Sequence, residues 1–109
     1  MEEARRKQLE AAGYRVTDTQ EFLGLSDEEM AYIDLRIAVS NALRGRREAQ
    51  GLTQRALASR IGSSQSRVAK MEAGDPSVSL DLLVRALFET GATAADIADA
   101  IAPERARAA

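Results

Sequence analysis

The stretch Thr53–Gly74, TQRALASRIGSSQSRVAKMEAG, limits the possible folds of this chain more than any other part of it. Its spacing predicts two short helices joined by a tight turn. Thr53 is placed to cap the first, because its hydroxyl can accept from a backbone N–H that has no partner in the helix. Leu57 and Ile61 fall four apart on one face, with small Ala58 beside them. Gly62 stands where that helix must stop, since glycine enters the left-handed conformation without a side-chain clash. Ser64 then caps a second helix, Gln65–Ala73, in which Val68 and Met71 point inward. Gln65, Ser66, Ala69 and Lys70 share its outer face. A helix of this width fits the major groove of duplex DNA, where Gln, Ser and Lys can pair with base edges.

The segment resembles the helix-turn-helix of the XRE family, the Cro/phage-repressor-like regulators. The residues that carry the likeness are Thr53-Gln54, Leu57-Ala58, Ile61-Gly62, Gln65-Ser66 and Glu72-x-Gly74. The runs Gly51-Leu52-Thr53-Gln54 and Met71-Glu72-Ala73-Gly74 are typical of it. The likeness covers residues 35–87, about half of the chain. With the preceding EFLGLSDEE, the chain resembles small regulators of the HigA antitoxin type. The resemblance implies an all-α, five-helix Cro/repressor-like domain with an N-terminal helical or extended arm. It places Ser64, Gln65, Ser66 and Lys70 at base-reading positions and Gln54 on a phosphate. Arg67, at the edge of the reading face, is placed for a phosphate or a base. Arg55 and Arg60, like Arg44 and Arg46, are candidates for backbone phosphates or plain surface charge. Arg47 and Glu72 take positions where the family often holds a partly buried ion pair, so their expected role is structural.

The net charge of −2 hides a sorted sequence. Residues 17–34 carry Asp18, Glu21, Asp27, Glu28, Glu29 and Asp34 without a Lys or Arg. Residues 35–71 carry Arg36, Arg44, Arg46, Arg47, Arg55, Arg60, Arg67 and Lys70 against Glu48 alone. Residues 72–99 turn acidic again, with only Arg85 in opposition. A basic block between two acidic ones is the electrostatic footprint of a site for an anion such as DNA.

Around the central segment, the sequence predicts a short polar helix over 2–12 and a weak extended piece within 14–25. Ser26 and Glu29 form a capping-box pattern that opens a long helix to about Ala49. That helix carries two apolar stripes, Leu35/Val39/Leu43 and Met30/Ile33/Ile37, which implies burial on two sides. Leu52 is expected to drop into the core. Ser79 caps a fourth helix lined by Leu80, Leu83, Val84 and Leu87. Thr93 caps a fifth, with Ala94, Ile97, Ala98 and Ile101 on one face, before Pro103. The expected organisation is an arm and helix start over 1–34, a DNA-binding domain over 35–102 and a frayed tail over 103–109.

A single recognition helix contacts few bases, so a homodimer is expected on a double-stranded operator. Leu82, Phe88, Ile97 and Ile101 exceed the needs of one small core and are the candidate interface. Tyr14, Phe22, Leu23 and Leu25 lie among uncompensated carboxylates. They suit a basic protein partner, a cognate toxin if the antitoxin likeness holds, or else they cover Ile33 and Ile37. With no Cys and no His, the chain lacks thiolate ligands, disulfides and the commonest general base. No enzyme activity, metal or cofactor is expected. No apolar run approaches the ~20 residues of a membrane span, and a cytoplasmic location is the default. The alternatives are a free-standing phage-type or host regulator, or a protein-interaction module using the same fold as scaffold.

Overall fold

A computed structural model describes residues 23–102 and, apart from them, Lys7. The expected helix over 2–12, Tyr14, Phe22 and the tail from Pro103 lie outside the described residues. The described residues form five α-helices and no strand: α1 (Asp27–Ala49), α2 (Gln54–Ile61), α3 (Gln65–Ala73), α4 (Leu80–Glu89) and α5 (Ala94–Ile101).

Each helix begins on a hydroxyl. Ser26 Oγ accepts from Glu29 N at 3.1 Å, while Ser26 N donates to Glu29 Oε1 at 2.8 Å, closing the capping box of α1. Thr53, Ser64, Ser79 and Thr93 cap the other four, and Thr93 forms a second capping box with Asp96. The acids Asp27, Glu28 and Glu29 in the first turn of α1 and the bases Arg46 and Arg47 in its last turn both suit the helix dipole. Gly62 ends α2 at φ 68°. A Cβ there would meet nothing within 4 Å, so the backbone angle, not space, demands glycine.

α1 is the spine. α3, α4 and α5 pack on it, and α2 packs on α3 and α4. The main core joins Val39 and Leu43 of α1 to Leu57, Val68, Met71, Val78, Leu83 and Leu87. Leu43, Leu57 and Leu83 are wholly excluded from solvent, and each contributes about 2 kcal/mol through burial. The second stripe of α1 makes a separate cluster, Met30, Ile33 and Ile37, with Leu25 against it.

Some local expectations change. Leu52 is half-buried and stays outside the core clusters; its carbonyl accepts from Arg47 Nη1 at 2.8 Å, which holds it at the rim. At the described end of the stretch read as extended, Leu23 is helical and Gly24 is a turn at φ 70°. Leu82 and Ile97 pack partly against the main core, which leaves Phe88 and Ile101 as the exposed members of the four apolar residues on α4 and α5.

Candidate nucleic-acid interface

The turn between α2 and α3 is short because both its ends are fixed. Gly62 closes α2 in the left-handed conformation, and Ser64 Oγ accepts from Arg67 N at 3.2 Å to open α3. Val68 and Met71 anchor the inner side of α3 with no solvent exposure. Its outer side therefore cannot rotate inward, and Gln65, Ser66, Arg67 and Lys70 are all exposed. Ser64 Oγ lies 3.3 Å from Ser66 Oγ, so the capping hydroxyl sits at the edge of the same polar strip.

A chain of polar contacts ties this strip to α1. Gln65 Nε2 donates to Gln54 Oε1 at 2.7 Å. Gln54 Nε2 donates to Glu72 Oε1 at 3.1 Å. Arg47 closes the chain as a fork, with Nε on Glu72 Oε2 at 2.6 Å and Nη2 on Oε1 at 3.0 Å. The Glu72 side chain is only 4% exposed and that of Arg47 13%. The hydrogen bond from Arg47 to Glu72 raises the guanidinium pKa above its ordinary value, against the opposing effect of burial. Gln54 spends one amide hydrogen on Glu72 and keeps a second. Gln65 keeps its carbonyl oxygen and one amide hydrogen, the pair that matches an adenine edge.

The basic block divides by job. Arg36 is buried, and its Nη2 donates to the Asp75 carbonyl at 2.9 Å. Arg46 Nε donates to Thr90 Oγ1 at 2.9 Å and Nη2 to Thr90 O at 3.1 Å, with Asp96 at 3.8 Å. Arg44 faces Glu48 at 3.4 Å on the surface. Arg55, Arg67 and Lys70 are exposed and make no side-chain hydrogen bond or ion pair with described residues. Arg60 is exposed and reaches Gln50 Oε1 at 3.2 Å. Within the basic block, the cations that pair with no described carboxylate and stay exposed are those of α2 and α3.

Two fixing residues escaped the sequence reading. Arg36 lies three residues before Val39 and seven before Leu43, so helical periodicity already put it on the buried face. Thr90, the acceptor for Arg46 and for Gln50 Nε2 at 2.7 Å, carried no sequence signal. Of the arm residues expected to meet a partner, Leu23 is half-buried and Leu25 leans on the Met30 cluster, while Tyr14 and Phe22 are outside the described residues.

No curated protein and no solved structure matches the chain significantly. Residues 43–87 match the family model described as Helix-turn-helix, a span that includes all of α2 and α3. In keeping with the likeness to XRE regulators, this segment of the chain is a helix-turn-helix of the DNA-binding kind.

Proposed function

We propose that the protein is a sequence-specific double-stranded DNA-binding repressor that acts as a homodimer and, as the antitoxin of a type II pair, represses its own operon. The observation that carries the reading is the Gln65–Gln54 hydrogen bond at 2.7 Å, which sets a glutamine amide at the head of an exposed polar helix. Gln65, Ser66 and Lys70 read bases, with Ser64 at their edge. The backbone N–H groups that open α2 at Gln54 hold one phosphate, and Arg55, Arg60 and Arg67 hold others. Phe88, 51% exposed, and Ile101, 40% exposed, join the copies, with Leu82 and Ile97 beneath them. The antitoxin part is supported by the acidic, apolar start of the chain, which a DNA-binding unit alone does not need.

The test is titration of the full chain against a selected duplex and a random one. With about six phosphates contacted per dimer, affinity should fall ~10³-fold between about 50 and 200 mM salt. Equal affinity for both duplexes sinks the reading. Phe88→Asp and Ile101→Asp should give monomers by sedimentation; if neither does so at micromolar concentration, the interface lies elsewhere. Toxin neutralisation is tested by co-expression with the neighbouring reading frame.

A further inference from the structure

The apolar cluster at the start of α1 has an open side. Leu25, Glu28, Glu29, Tyr32 and Ile33 line a groove of about 340 Å³. Its wall is fixed on two sides. Glu29 is held in the capping box by Ser26 N at 2.8 Å. The Tyr32 ring has the Arg36 guanidinium 6.0 Å from its centroid, and Arg36 is itself anchored on the Asp75 carbonyl at 2.9 Å. Tyr32 remains 49% exposed on this fixed backing.

Carboxylates in a first turn are ordinarily explained by the helix dipole. The dipole does not explain an exposed tyrosine over a leucine and an isoleucine beside them. The groove's charge is also one-sided: Glu28 and Glu29 stand on its wall and make no ion pair with a described Lys or Arg, while Arg36, one turn beyond Tyr32, is spent on an internal carbonyl. Nucleic acid is repelled by such a rim. We propose that this groove docks a basic protein segment, one that seats an apolar side chain against Leu25, Tyr32 and Ile33 and sets Lys or Arg beside Glu28 and Glu29. The proposal rests on the reading of the start of the chain as a partner surface, and it places that surface on α1 itself.

The experiment is amide-shift mapping of the full-length protein with three probes: a short synthetic helix of Leu and Lys at amphipathic spacing, its Leu/Glu counterpart, and a Lys peptide without Leu. The Leu/Lys helix should shift amides between Leu25 and Ile37, and bind about tenfold more weakly to Tyr32→Asp and to Glu28→Lys. Both positions are exposed; because Glu28→Lys gives up a favourable charge at the start of α1, a thermal melt verifies the fold of each variant, and DNA binding by each should equal that of the wild type. Glu29→Gln should keep the capping box, because Gln serves it as well, and lose part of the binding. Equal binding of the Leu/Glu or the Leu-free probe overturns the proposal, as do indifference to these substitutions and shifts that appear on concentrating the protein alone. Failure of the wild type to bind any duplex would overturn the regulator reading and leave this result untouched.

Discussion

Three arginines of α1 and the cations of α2 and α3 belong to one basic block in the sequence, yet they are used in opposite ways, while Arg44 of α1 stays on the surface beside Glu48. Arg36, Arg46 and Arg47 turn inward and bind Asp75, Thr90 and Glu72, each from a different part of the fold. Arg55, Arg67 and Lys70 stay exposed and uncommitted among the described residues. A charge count over the block therefore overstates the surface available to DNA. A long-side-chain donor on a core-facing stripe is drawn to whatever carbonyl or carboxylate closes the fold, because a buried charge without a partner is costly. The same side chain on a helix turned away from the core keeps its charge for a ligand.

The largest expected effect lies on the inward side. Arg47→Met removes the fork on Glu72, whose side chain is 4% exposed, and should lower unfolding free energy by roughly 3 kcal/mol by stranding that carboxylate. Replacing Glu72 by Leu as well should recover much of the loss, because an apolar pair can substitute for a buried ion pair. Urea denaturation of both variants measures it. A stable Arg47→Met protein that has lost only DNA affinity would move Arg47 to the outward group and break the contrast.

On the outward side the loss should appear in binding and leave stability alone. Gln65→Ala and Lys70→Ala should each cost roughly 1–3 kcal/mol on the preferred duplex and relax discrimination at the position they read. Gln65→Ala also frees Gln54 Oε1, which has Gln65 Nε2 as its donor, so its effect should exceed that of Lys70→Ala. Arg67→Ala should act more weakly and alike on all duplexes, reducing the salt slope by about one. An unchanged melting temperature must accompany all three; a fall of several degrees in any of them would place that residue with the α1 arginines.

The helices and their caps were legible in the sequence because each depends on local signals: a hydroxyl at the start, a glycine or a polar turn at the end, apolar residues at helical spacing. Ser26, Thr53, Ser64, Ser79 and Thr93 all stand one residue before a helix. The two stripes of α1 likewise became two clusters. The division of the arginines was less legible, because it depends on partners distant in the chain. Arg36 and Asp75 are 39 residues apart, and Arg46 and Thr90 are 44 apart. Arg36 and Arg46 both stand at helical spacing from Val39 and Leu43 (Arg46 three residues after Leu43 and seven after Val39), so periodicity reached the face of each but not its acceptor. Gln54 and Gln65 were both expected at the interface, but their joining needed the angle between α2 and α3.

The smallest effect concerns Arg46, which tests whether inward arginines are graded by burial. Its partner Asp96 lies on the exposed start of α5, 3.8 Å away, and both side chains are partly solvated. The Asp96 carboxyl is held below its ordinary pKa first by Thr93 N, then by the Thr93 hydroxyl, with Arg46 a lesser cause. A carboxyl whose folded pKa is depressed adds stability above its unfolded pKa, about 4, and loses it as pH falls through the folded value. Acidification from pH ~5 to below the folded value should thus loosen α5 before the buried core. Asp96→Asn should remove most of that pH dependence, while Arg46→Ala should remove only a small part. Hydrogen exchange of the α5 amides across that range reads the difference. A larger effect from Arg46→Ala than from Asp96→Asn would mean that the arginine, and not the cap, holds α5, and that exposure does not grade the inward group.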